Sequence, residues 1–326
     1  MHPVIMTRKK IILIALVTLA VLYTGGAWFF SNIIIHFQQR TLEEDRTNLK
    51  FESVADVGLP RPEAVQVGAE FQNAVSADGA STEPVTIGAW YFSNPRGARC
   101  AVILHHGHTG TRWGALKYAP LFWKRGCAIV SVDARYLGDS GGDCGGYGYH
   151  ERYDLQRVIG WLREKTGLRK NQIGLMGESM GASIVVMTAA LEPDLAFVAA
   201  DSPYRALVPV MVERGERQYG PIVIGAMLPG AMWLANVRCG IEVGEVSPED
   251  AAKRIQIPVF LSHSASDAGT LPYHSESIYN NVGHDRKVVY LNQWDAPHAR
   301  DINLRYDEYE AHVDRFLRDF VPNFGL

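Results

Sequence analysis

Basic charge is what this sequence most plainly lacks. Its 32 lysines and arginines are outnumbered by 35 aspartates and glutamates, giving a net charge of -3 and a pI near 6.4. That leaves no electrostatic footprint for nucleic acid. Internal repeats and low-complexity tracts are absent, which excludes a repeat architecture. Metal-ligand spacing is missing as well. His105, His106 and His108 stand close together, but adjacent strand residues point to opposite faces. No Cys/His pair at ligand spacing accompanies them. Neither a metal nor a cofactor is expected.

What is there is an ordinary globular balance, 47% hydrophobic and 21% charged. One long stretch departs from it. Ile11 to Ile35 contains no charged residue, and as a helix it would span ~37 Å, more than the ~30 Å of a bilayer core. Tyr23, Trp28, Phe29 and Phe30 lie towards its far end, where an aromatic belt would sit. Arg8-Lys9-Lys10 before an apolar run also fits a cleaved signal peptide. The run is too long for that, however, and no A-x-A-like site follows it. A membrane-anchor helix over 11–35 is expected, after a short tail over 1–10. Arg40, Arg46 and Lys50 on the far side match the three basic residues on the near side. The near ones are contiguous with the span, which favours an internal N-terminus and an external domain.

Residues 36–62 are polar and end in Gly-Leu-Pro-Arg-Pro, the composition of a juxtamembrane linker into a domain over 63–326. Ala64–Phe71 and Val85–Phe92 have strand character, with Asp78-Gly79 between them as the turn of an antiparallel pair. From Cys100 strands alternate with helices. Ala101–His105 precedes a helix around Trp113–Lys124, and Ala128–Asp133 precedes one from Glu151 to about Lys165. Ile173–Gly177 and Phe197–Asp201 flank a third, the apolar run Ala182–Leu191. Leu155, Val158, Ile159 and Leu162 form a helical stripe facing a sheet. This rhythm predicts a mostly parallel sheet covered on both faces. It breaks at an insertion over about 204–256, which includes the apolar run Pro221–Ala235. The insertion is expected to pack on the domain and line an acyl pocket, with contact to the same bilayer as the alternative. Strands at Val259–His263 and Lys287–Asn292 and a helix at Tyr306–Phe320 complete the chain.

The chemistry centres on Gly177-Glu178-Ser179-Met180-Gly181. Flanked by a strand and a helix, G-x-S-x-G reads as a nucleophile elbow, its glycines required by crowding where strand meets helix. A serine hydroxyl needs a base, an acid to orient the base, and donors for the oxyanion. His298 is the best placed base, on the loop between the last strand and the terminal helix. Asp267 directly follows the Val259–His263 strand and fits the order Ser, acid, His; Asp201 is its rival. In His105-His106-Gly107-His108-Thr109-Gly110, the backbone N–H of His108 is placed to converge with that of Met180 as an oxyanion hole. The glycines of Asp133–Gly142 read as a tight connection. Glu151 reads as a charge favourable to a helix N-terminus, without a catalytic role.

These motifs together resemble the α/β-hydrolase superfamily from about residue 64 onward. His106-Gly107-x-x-Gly110, Asp133-x-Arg135-x-x-Gly138-x-Ser140-Gly141, Gly177-x-Ser179-x-Gly181, Asp267 with Pro272, and His298 occur in the family's order, and Val246-Ser247-Pro248 follows the insertion. The nearest resemblance is to the single-domain branch of serine aminopeptidases, acylaminoacyl peptidases and small carboxylesterases. It implies an α/β-hydrolase fold with a helical lid, and a triad of Ser179, Asp267 and His298 with His108 and Met180 as oxyanion donors. One departure is Ser264, where relatives usually carry glycine. Serine at the elbow sets the chain apart from haloalkane dehalogenases and epoxide hydrolases, which use aspartate there. The fold would also make the strands begun by Cys100 and Cys127 neighbours. Pairing these, and Cys144 with Cys239, would suit an oxidising compartment; four free thiols would suit the cytosol. The expected activity is a membrane-anchored carboxylesterase on a small ester or acyl substrate. An aminopeptidase-type peptidase is the alternative, although no acidic pair to hold a substrate amine is found. A thioesterase and a non-catalytic binding protein are the others.

Overall fold

The computed structural model describes residues 7–68 and 85–325, and it is organised by one eight-stranded sheet in the order β1-β2-β4-β3-β5-β6-β7-β8. The strands are β1 (Glu63–Val67), β2 (Ile87–Phe92), β3 (Cys100–His105), β4 (Cys127–Val132), β5 (Ile173–Glu178), β6 (Phe197–Asp201), β7 (Val259–Ser264) and β8 (Lys287–Asn292). The β1–β2 and β2–β4 pairings are antiparallel; the other five are parallel. Strands β3, β4, β6 and β7 are buried along their whole length. That is why they read as continuous apolar runs rather than alternating ones.

The helices are α1 (Arg8–Ile35), α2 (Leu42–Asn48), α3 (Ala119–Trp123), α4 (Glu151–Thr166), α5 (Met180–Ala189) and α6 (Leu207–Tyr219), then α7 (Pro221–Cys239), α8 (Pro248–Ala252), α9 (Tyr273–Asn281), α10 (Asp301–Leu304) and α11 (Tyr306–Phe320). Leu155, Ile184, Ala251 and Ile278 place α4, α5, α8 and α9 in one core. Phe122, Tyr309, Val313 and Phe316 place α3 and α11 in the core on the other face. The sheet is therefore covered on both sides, as the alternation predicts.

Strands β6 and β8 and helix α11 lie where the sequence puts them. Strand β1 ends at Val67, and the rest of its expected length and the Asp78-Gly79 turn fall largely outside the described residues. The single helix expected at Trp113–Lys124 is instead a 3₁₀ turn, Gly114–Tyr118, followed by α3. Pro120 lies in the first turn of α3, where its missing N–H is tolerated, whereas it would break a helix continued from Trp113.

Residues 36–62 differ most from expectation. They are folded onto the domain and are not a free linker. Phe37 is buried with its ring against His108, Tyr136 and Tyr147. The buried Asp45 on α2 accepts from Thr111 N at 2.8 Å and Thr111 Oγ1 at 2.9 Å, and Leu59 is buried in the core beside α11. The core reaches into α1 too, since Ile34 and Ile35 are buried in it.

The insertion forms α6, α7 and α8. Helix α7 lies along α1: Gly230 faces Tyr23 and Ala27, and Gly26 faces Met227. Arg238 stacks over Trp28 and donates to Ser31 and Asn32. The acyl-pocket expectation for this apolar run is not met, because the side that α7 buries packs on α1 and the core instead. Both cysteine pairs, Cys100–Cys127 and Cys144–Cys239, are disulfides. Cys239 is the last residue of α7.

Candidate active site

The elbow between β5 and α5 is built by close approach. A Cβ on Gly177 would sit 2.4 Å from the Gly181 carbonyl oxygen, and one on Gly181 would sit 2.4 Å from the carbonyl oxygens of His105 and His106. Only glycine fits at either place. Between them Ser179 is held at φ 52°, ψ -117°, a backbone conformation that side chains rarely adopt. Its N–H donates to the Asp201 carbonyl oxygen at 2.8 Å, which anchors the strained residue to β6. The turn lifts Oγ out of the sheet.

The other candidate residues meet it there. Ser179 Oγ donates to His298 Nε2 at 2.7 Å, and His298 Nδ1 donates to Asp267 Oδ2 at 2.5 Å. The roles of the two ring nitrogens follow from these partners. Asp267 accepts three more hydrogen bonds. Gly269 N and Thr270 N donate to Oδ1 at 2.8 and 3.0 Å, and His263 Nε2 donates to Oδ2 at 3.2 Å. Burial alone would push the Asp267 carboxyl up. The bonds from His263 and His298 outweigh it and hold the group well below the usual carboxylate range.

Asp201, the rival acid, is elsewhere. It is fully buried and accepts from Tyr118 and Tyr309 hydroxyls at 2.8 and 3.0 Å, bracing β6 against the 3₁₀ turn and α11. Ser264, the departure from the family pattern, donates to the Ala296 carbonyl oxygen at 2.7 Å. That bond ties the acid loop to the base loop.

Met180 is the first residue of α5, so the helix supplies its N–H with no acceptor. The His106–Gly110 loop comes close to it: a Cβ on Gly107 would lie 3.3 Å from Ser179 Cβ. The His108 ring stacks on Tyr147 and meets its hydroxyl at 3.2 Å. Desolvation, then Arg214 and Arg40, push His108 down to about 4. His105 and His106 do not converge on a shared point. His105 Nδ1 meets the His106 carbonyl oxygen, whereas His106 donates to the Gly107 carbonyl oxygen and accepts from Ala134 N. Among the described residues no cluster of three His, Cys, Asp or Glu forms a metal site.

Three features were not read from the sequence. Lys117, buried in the 3₁₀ turn, pairs with Glu178 at 2.5 Å and donates to the Ala299 carbonyl oxygen at 2.6 Å. It thereby joins the neighbours of Ser179 and His298. Glu151 is not simply a helix-end charge: it is buried, and its carboxylate accepts from Gly146 N and Gly148 N, both at 2.7 Å. The third is a cleft of about 300 Å³ over the serine, lined by Gly107, His108, Glu178, Ser179, Arg214 and His298 and closed by Ala299 and Arg300. From the insertion only Arg214 reaches it.

A mostly parallel eight-stranded sheet, with an elbow serine at the end of β5 and a histidine and an aspartate after β8 and β7, defines an α/β-hydrolase-fold serine hydrolase. The family model for X-Pro dipeptidyl-peptidase (S15 family) matches residues 41–219, and the chain belongs to that family. It is 30% identical over 229 residues to the uncharacterized protein YqkD of Bacillus subtilis (strain 168), covering 70% of this chain and 74% of that one. Among solved structures it is similar to the Pyrococcus furiosus esterase Pf2001, at TM-score 0.63 and 24% identity, over 82% of this chain and 95% of that one. It is similar as well to the Pyrococcus horikoshii acylaminoacyl peptidase, at TM-score 0.56 and 15% identity, over 85% of this chain and 44% of that one. At these identities the two structures speak for the fold.

Proposed function

We propose that the protein is a membrane-anchored carboxylesterase in which Ser179 is the nucleophile, His298 the base and Asp267 the acid. The observation that carries this is the unbroken hydrogen-bonded chain from Ser179 Oγ through His298 to Asp267. As Oγ attacks the ester carbonyl, His298 Nε2 takes its proton, and Asp267 stabilises the imidazolium that forms. The N–H groups of His108 and Met180 receive the oxyanion. His298 then protonates the departing alcohol oxygen, leaving an acyl group on Ser179. Water, deprotonated by His298, releases the acid and restores the serine.

Two observations support anchoring through residues 11–35. Large apolar side chains of α1 from Ile11 to Phe29 face outward. The end of the same helix is built into the domain core through Ile34 and Ile35, an unsuitable place for cleavage. The two disulfides suit an oxidising compartment, hence a domain on the extracytoplasmic side.

Ester is preferred over peptide because, among the described residues, the cleft offers no free carboxylate to a substrate ammonium. Glu178 is paired with Lys117, and Asp267 is held by two histidines. The family's name favours a second reading, a dipeptidyl-peptidase. Comparing p-nitrophenyl esters with Gly-Pro p-nitroanilide separates the two. Ser179→Ala should lower kcat by about 10⁴- to 10⁶-fold and abolish labelling by a fluorophosphonate. Labelling of that variant at the wild-type rate would overturn the assignment.

A further inference from the structure

The cleft over Ser179 carries a charge that the triad does not use. Its lining carboxylate, Glu178, is neutralised by Lys117 at 2.5 Å. Arg214 and Arg300 line the same cleft, and neither has a carboxylate partner among the described residues. The nearby Glu213 of α6 is turned away, bonded to the Tyr273 hydroxyl and to His274. Arg214 is also held in place. Its Nε donates to the Gly269 carbonyl oxygen at 3.2 Å and its Nη2 to Thr270 Oγ1 at 2.8 Å, while Nη1 has no partner among the described residues. A guanidinium fixed by two bonds loses little further freedom when its remaining donors are used, which is the condition for a specific anion contact.

We propose that Arg214 is a specificity-determining residue that binds an anionic group of the substrate, so that the ester cleaved at Ser179 carries a negative charge within reach of α6. The inference rests on the serine-esterase reading above. It also gives α6 a task. The helix that bonds the 268–270 loop next to Asp267, through both Arg214 and Arg217, presents the cation that selects the substrate.

The test compares isosteric esters by initial rate on the full chain. On the acyl side these are p-nitrophenyl hexanoate, the p-nitrophenyl half-ester of adipate and p-nitrophenyl ε-aminocaproate. On the alcohol side they are the hexanoate esters of p-hydroxybenzoate and of its methyl ester. Wild type should prefer one of the two anionic esters over its neutral counterpart by about tenfold or more in kcat/KM, and should reject the cationic one. In Arg214→Gln that preference should fall by about ten- to hundredfold, the worth of a hydrogen bond to a charged group. Arg214→Lys should retain most of it. Absence of anionic preference on both sides of the ester overturns the inference while leaving the esterase reading intact. So does an Arg214→Gln loss equal on charged and neutral esters, which would mark a loop clamp only. Failure to hydrolyse any ester, with no fluorophosphonate labelling, overturns both.

Discussion

The candidate triad is held in place by residues outside it, and Lys117 is the clearest of them. Its ammonium ties the carboxylate next to Ser179 to the carbonyl next to His298. Lys117→Met keeps the volume and removes both bonds, so the serine and histidine should lose their register. The expected outcome is a kcat lower by about ten- to hundredfold with KM little changed, as for a misplaced catalytic group. A loss confined to KM would show that Lys117 does something else. Asp301 illustrates the opposite case, a carboxyl that costs stability. Burial, only partly offset by the bond from Asn292, raises it from 3.8 to about 6. The folded protein therefore binds a proton more readily than the unfolded chain between these values. Its stability from this group is present at low pH and lost as pH rises through about 6. Asp301→Asn keeps an acceptor for Asn292 and removes the charge. It should stabilise the protein at pH 8 by on the order of 2 kcal/mol and by much less at pH 4, as read by thermal melts. An equal gain at both pH values would contradict this.

At the level of elements, what the sequence disclosed and what it hid divide along a physical line. Buried strands and the α11 stripe announce themselves by apolar runs and period, and the elbow by glycines that only crowding requires. Ser179, Asp267 and His298 could be picked as candidates because each stands in the turn or loop after a strand, and topology brings strand ends together. Lys117 was not legible, since its partner Ala299 lies 182 positions away and no local pattern marks such a bond. Arg214 was hidden for another reason. A charged residue on an amphipathic helix reads as solvated until the helix is seen to lean over the serine. The 36–62 segment was misread because its overall polarity masked the few residues, Phe37, Asp45 and Leu59, that bury it.

For the molecule as a whole, α1 is part of the folded body. A chain begun after Phe37 would lose Ile34, Ile35 and Phe37 from the core, at about 1.5–3 kcal/mol for each large side chain. It should melt well below the full-length protein, and the full-length protein should stay with membranes after an alkaline carbonate wash. A truncated domain with an unchanged melting temperature would refute the structural role of α1. The packing of α7 along α1 carries a further consequence. With Cys144–Cys239 fastening the end of α7 to the domain and Arg238 fastened to α1, α1 is joined stiffly to the body that carries Ser179 rather than by a leash. If α1 spans a bilayer, as proposed, the mouth of the cleft stands at one height and one tilt above the lipid. The hydrolase would then search its surroundings in two dimensions, meeting those substrates that present themselves at that height.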